Sequence, residues 1–238
     1  MNRRVVVLPD ASAVADSTAA RLLTAIADRL TVVDRADIVL TGGTVGIATL
    51  AAVAASPLRD TIDWTSVHMW WGDERFVASS DPDRNEGQAQ DALLRHLAMP
   101  EENIHRMGST DTFTSAEAAA AAYHGEIADN GNPQWDVLML GLGPDGHVAS
   151  LFPQHPGFTR ASATVIAVHD SPKPPPTRVS LGLSAITRAR QVWIVAAGKG
   201  KAEAVRDCLG GNASYPGAVV HGTEATLWLL DAAAAAKV

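Results

Sequence analysis

Asp37-Ile38-Val39-Leu40-Thr41-Gly42-Gly43-Thr44-Val45-Gly46-Ile47-Ala48-Thr49-Leu50 passes from a short aliphatic run, through two glycines, into an alanine-rich stretch of helical length. An aliphatic run ended by a turn reads as a strand covered on both faces, and the stretch behind it as the covering helix. The unit recurs along the chain. Runs of strand length occupy 4–8, 37–40, 66–71, 135–140, 163–168, 178–183, 191–197 and 226–230. Helical stretches occupy 11–30, 45–55, 86–97, 115–128 and 201–209, with Leu22, Ile26 and Leu30 on one helical repeat. Strands alternating with helices predict an α/β fold, a mostly parallel, doubly wound sheet flanked by helices. Ligands of such sheets bind beyond the carboxyl ends of the strands, so chemistry is expected in the segments behind the runs.

The 238 residues are 47% hydrophobic and 19% charged, with a net charge of −7, a globular composition that excludes disordered, collagen-like and coiled-coil chains. No apolar run approaches the roughly 18 residues of a membrane span. Met1-Asn2-Arg3-Arg4 leads into only a short apolar run before Pro9-Asp10, so a secreted protein is not the expectation. The single cysteine, Cys208, cannot form an internal disulfide, and the negative charge is wrong for nucleic-acid phosphates. A cytoplasmic protein acting on a small molecule is expected, with no nucleic acid or membrane partner. No internal repeat is present. Ser171-Pro172-Lys173-Pro174-Pro175-Pro176 is stiff and has strand runs on both sides, so a single domain over 1–238 is expected.

Four segments behind the strands carry polar chemistry. In Thr41-Gly42-Gly43-Thr44 the glycines allow close backbone approach and the helix start offers free N–H groups to a phosphate; plain helix capping uses the same residues. Asp73-Glu74-Arg75, after Trp71-Gly72, puts three charges where apolar burial should dominate, which fits a polar cleft or a surface ion pair. Asn85 downstream suits a helix cap or a sugar hydroxyl. Gly141-Leu142-Gly143-Pro144-Asp145-Gly146-His147 matches the dinucleotide pattern G-x-G-x-x-G in letters only. Asp145 would face a pyrophosphate, and Pro153 stops the long helix the pattern requires. The loop instead sets Asp145 beside His147, a carboxylate able to orient an imidazole as a proton acceptor. The fourth segment joins Lys173 and Arg178 of the proline stretch with Lys199 and Lys201 of Gly198-Lys199-Gly200-Lys201, either solvated charges or the walls of a phosphate pocket.

Several chemistries have no motif: Gly-Lys-Ser/Thr, His-Glu-x-x-His, Cys-x-x-Cys and Gly-x-Ser-x-Gly are all missing. P-loop hydrolysis and a motif-recognisable zinc site are therefore not expected. Cys208 reads as packing, and His68, His96, His105, His124, His155, His169 and His221 show no spacing for a shared ligand.

The chain resembles the 6-phosphogluconolactonases over nearly its whole length. The resemblance rests on Thr41-Gly42-Gly43-Thr44, on Trp71-Gly72-Asp73-Glu74-Arg75 with Asn85, on 141–153, on 172–181, on 198–202 and on Tyr215-Pro216-Gly217-Ala218. It implies a fold shared with glucosamine-6-phosphate deaminases and ribose-5-phosphate isomerases. It also implies hydrolysis of 6-phospho-D-glucono-1,5-lactone in the oxidative pentose phosphate pathway, with no metal or cofactor. By resemblance His147 is the catalytic base with Asp145 and Arg75 beside it, and Gly42, Gly43, Thr44, Arg178 and Lys201 contact phosphate. Asp73, Asn85 and Lys173 complete the expected substrate site. Val45-Gly46 and Val148 depart from the family, where Thr-Pro and Thr are usual. The rival readings are a glucosamine-6-phosphate deaminase and a non-catalytic sugar-phosphate sensor. Arg75, where deaminases commonly carry Tyr, and Ala149-Ser150-Leu151-Phe152-Pro153 favour the lactonase. A monomer or small homo-oligomer is expected.

Overall fold

A computed structural model describes residues 2–159 and 163–238. Six strands form one parallel sheet in the order β1-β9-β8-β5-β2-β3. They are β1 (Asn2–Leu8), β2 (Ala36–Leu40), β3 (Val67–Trp71), β5 (Val137–Gly141), β8 (Gln191–Ala196) and β9 (Ala225–Asp231). The remaining strands, β4 (Asp73–Arg75), β6 (Val165–Val168) and β7 (Arg178–Leu181), pair antiparallel in a second sheet ordered β4-β7-β6. Of the eight expected strands, those at 163–168 and 178–183 therefore leave the main sheet. The proline-rich loop between them holds no helix, and a parallel connection needs a crossover of a dozen or more residues. β4, whose three charges hide it from an apolar-run reading, ties the two sheets together. Gly72 N donates to Leu40 O in the main sheet, and Leu181 N donates to Gly72 O from the second, at 3.1 and 2.9 Å.

The helices are α1 (Ala11–Leu30), α2 (Gly43–Ala55), α3 (Asn85–Ala92), α4 (Ala116–Asp129), the short α5 (Pro156–Thr159) and α6 (Leu183–Ile186), α7 (Ala202–Leu209), and α8 (Pro216–Val219). Asp10 caps α1 by accepting from Ala13 N, and Val14, Thr18, Leu22 and Ile26 form its buried face at helical spacing. The helix expected over 86–97 ends at Ala92, because consecutive Leu93 and Leu94 both turn into the core. One hydrophobic cluster gathers side chains from both sheets and includes Trp70, Trp71, Trp135, Trp193 and Trp228. Cys208 is part of it, and burial pushes its thiol up to about 12. No helix among the described residues is long and apolar enough to cross a membrane.

The strand order reverses direction about β2, which lies between β3 and β5. Loops leaving the carboxyl ends of β2 and β5 diverge there and open a crevice. Thr41 Oγ1 accepts from Gly141 N across it at 3.2 Å.

Candidate active site

Period-two alternation sorts the charges of β4. Asp73 and Arg75 line the crevice, while Glu74 points away and is buried. Glu74 Oε1 accepts from Arg75 N and Asn85 N, and its Oε2 from Glu86 N, each at 2.8 Å. It thereby caps α3, whose preceding residue Arg84 makes no side-chain cap. Burial pushes the Glu74 carboxyl up; Arg84, 3.8 Å away, and the three N–H groups pull against that. The cap fixes Asn85 at the start of α3. Asn85 Nδ2 donates to Asp73 O at 2.8 Å, and its Oδ1 accepts from Arg75 Nη1 at 2.5 Å. A Cβ on Gly42 would lie 1.8 Å from Asn85 Oδ1, so only glycine lets the β2 loop pass this amide. Arg75 Nε is buried without a hydrogen-bond partner among the described residues. Asp73 Oδ2 accepts from Ser150 Oγ at 2.6 Å and lies 3.9 Å from Arg178 Nη1.

The loop after β5 closes on itself: Gly143 N donates to His147 O and Gly146 N to Gly143 O, at 2.9 and 3.0 Å. His147 Nδ1 meets Asp145 Oδ1 at 2.5 Å. A Cβ on Gly143 would lie 2.0 Å from His147 Nδ1 and 2.4 Å from Asp145 Oδ1, so the pair occupies the space that a side chain at 143 would need. The Phe152 ring, with its centroid 4.5 Å from that of the imidazole, backs His147. Burial raises the Asp145 carboxyl, but the His147 hydrogen bond and the charges of His147 and Lys173 outweigh it and hold the group at about 2. Asp145 is thus ionised at neutral pH. It fixes the tautomer in which Nδ1 carries the proton and Nε2 is free to accept one. Ala149, in the crevice wall, holds φ at +49°, a left-handed conformation costing a residue with a Cβ about 1–2 kcal/mol.

Lys173, Arg178 and Lys201 wall the same cavity of about 250 Å³. Arg178 Nε donates to Pro175 O, and its Nη2 to Lys173 O and Pro174 O, at 3.0–3.2 Å, so the buried guanidinium splints the proline loop that carries Lys173. Burial lowers both lysine ammoniums. For Lys201 the neighbouring Lys173 adds to the lowering, and Asp145 opposes it. Cations crowded in this way call for an anion.

The crevice therefore assembles Gly42, Gly43, Asp73, Arg75, Asn85, His147, Lys173, Arg178 and Lys201 from six separate segments, with Asp145 behind His147. Thr44 is exposed in the first turn of α2 and is not in the wall; the hydroxyl there belongs to Thr41. Lys199 is exposed and outside the wall. Ser150 and Ser180, whose Oγ accepts from Ser150 N, were invisible as site residues because single serines carry no spacing signal. The histidines left unassigned contain one pair: His68 Nδ1 meets His105 Nε2 at 2.8 Å, and His105 Nδ1 meets Glu126 Oε1 at 2.7 Å. This pair lies outside the crevice wall. A larger groove of about 650 Å³ at the amino ends of the strands, walled by Arg29, Asp136 and Arg190, holds neither a histidine nor a glycine loop. Among the described residues no cluster of three metal-ligating side chains occurs.

Comparison with known proteins agrees with this architecture. The family described as glucosamine-6-phosphate isomerases/6-phosphogluconolactonase matches residues 9–228. A 6-phosphogluconolactonase of Streptomyces coelicolor is 49% identical over 98% of this chain and 94% of its own. The structure of 6-phosphogluconolactonase from Thermotoga maritima superposes with a TM-score of 0.86 at 25% identity, covering 97% of this chain and all of that one. A monomeric glucosamine-6-phosphate deaminase shares the fold, with a TM-score of 0.82 at 19% identity over the full length of both chains. With the family's model matching residues 9–228, nearly the whole fold, and a full-length relative 49% identical, the chain belongs to the glucosamine-6-phosphate isomerase/6-phosphogluconolactonase family.

Proposed function

We propose that the protein hydrolyses 6-phospho-D-glucono-1,5-lactone to 6-phospho-D-gluconate. One observation carries the reading: an Asp145-oriented imidazole and a set of three cations face one cavity. A δ-lactone is an activated ester that needs no covalent nucleophile. His147 Nε2 takes a proton from the water whose oxygen bonds to C1. As the C1 to ring-oxygen bond breaks, the imidazolium gives that proton to the departing oxygen, and the acid product ionises. Asp145 holds the ring and stabilises the imidazolium. Arg75, whose side chain lines the cavity, is the donor assigned to charge developing on the C1 oxygen. General-base help contributes about 10²–10⁴-fold and one oxyanion donor about 10²–10³-fold. Lys173, Arg178 and Lys201 hold the remote phosphate, and that binding energy keeps C1 within reach of the water. The relatives named 6-phosphogluconolactonase support this substrate over an amino sugar. That reaction belongs to the oxidative pentose phosphate pathway, and the unpaired, buried Cys208 is compatible with a reducing, cytoplasmic setting.

The test is ring opening of freshly generated 6-phosphogluconolactone with the spontaneous rate subtracted. Acceleration is expected. Release of ammonia from glucosamine 6-phosphate without lactone hydrolysis, or tight binding of the sugar acid without turnover, overturns the assignment.

A further inference from the structure

Lys199 and Lys201 share one short loop, yet only Lys201 walls the cavity. The loop hangs from the end of β9. Asp231, the last residue of that strand, is 6% exposed, and both of its carboxylate oxygens accept from Gly198 N, at 2.9 and 3.0 Å. Its Oδ1 also accepts from Ala234 N at 2.7 Å. Gly198 O in turn accepts from Lys201 N at 3.0 Å, closing the 3-10 turn that turns Lys201 toward the crevice. A buried carboxylate held by backbone N–H groups makes charge-assisted bonds, roughly twice as strong as neutral ones, and is a stiff anchor for the loop it grips.

We propose that Asp231 is a positioning residue for phosphate recognition: by clamping Gly198 it aims the Lys201 ammonium at the phosphate end of the substrate. This rests on the phosphate reading of Lys201. Asp231 touches no reacting atom, so its loss should be felt in binding of the phosphorylated substrate and nowhere else in the reaction.

The experiment compares the wild type with Asp231→Ala, Asp231→Asn, Lys201→Ala and the Asp231→Ala/Lys201→Ala double variant, on 6-phosphogluconolactone and on plain glucono-1,5-lactone. Asp231→Ala is expected to raise KM for the phosphorylated lactone about tenfold with kcat within about twofold, and to leave turnover of plain lactone unchanged. Asp231→Asn keeps Oδ1 as acceptor for both N–H groups and should recover most of that loss. In the Lys201→Ala background the Asp231→Ala change should add nothing further, because the aimed group is gone. Equal losses on both lactones, or effects that multiply in the double variant, would show Asp231 to be a general structural residue and overturn the proposal. If Lys201→Ala leaves KM for the phosphorylated lactone unchanged, the phosphate reading of that lysine fails, and the role of Asp231 falls with it. Should Asp231→Ala not fold, the comparison runs on Asp231→Asn, with a KM increase of about threefold that disappears in the Lys201→Ala background.

Discussion

His147 works through two atoms with different tasks. Nδ1 is committed to Asp145, and Nε2 is the nitrogen that the proposed mechanism assigns to the water. Replacing His147 with Asn keeps a polar group of similar reach but supplies no base at neutral pH. That variant should lower kcat by about 10²–10⁴-fold with KM changed far less. Steady-state kinetics on fresh lactone decide it, and near-normal turnover would remove His147 from the base role. Asp145 and His147 were legible in the sequence because a two-residue spacing inside a tight loop leaves the side chains few places to go. The choice of Thr41 over Thr44 was not legible, and between Lys199 and Lys201 the residues themselves left both open, with only the family resemblance naming Lys201. Neighbours in one loop share composition and spacing, and only the path of the backbone decides which side chain reaches the cavity.

At the scale of elements, β4 and α3 act as one piece through Glu74. Its carboxylate satisfies three N–H groups and lies near the buried Arg84. Glu74→Gln leaves Arg84 beside a neutral amide and turns an NH₂ toward the Glu86 N–H. The expected cost is about 2 kcal/mol of stability, read from urea unfolding. KM should rise as well, because Asn85 and Arg75 lose their common anchor. A variant as stable as the wild type, with unchanged KM, would show the cap to be dispensable. Three adjacent charges in the sequence gave no sign of this division. Strand alternation separates Glu74 from Asp73 and Arg75, and β4 is recognisable as a strand only once β7 lies beside it.

Across the whole molecule, the crevice and the His68–His105–Glu126 chain are separate. Burial, followed by the Arg35 charge and partly offset by Asp37, pushes His68 down to about 4 from an ordinary 6.5. A depressed histidine means that the unfolded chain binds the proton first. The stability this group contributes is therefore complete above about 6.5 and is lost as pH falls toward 4. Urea midpoints should fall between pH 7 and pH 5, and His68→Asn, which can still donate toward His105, should flatten that fall. Parallel declines in the two proteins would assign the acid sensitivity to other groups.

The chain's own chemistry dictated what is local. Apolar runs and helical repeats marked most of the elements, the glycine turns marked the crevice loops, and the Asp-x-His spacing marked the hydrogen-bonded Asp145–His147 pair, since each depends on residues within one or two turns of each other. Long-range pairing dictated the rest. It drew β6 and β7 into a second sheet, sent Glu74 inward, brought Asp73 to Ser150, and hung the Lys201 loop from Asp231. Contacts of that kind join segments tens of residues apart, and no periodicity or motif spacing along a single stretch of chain records them.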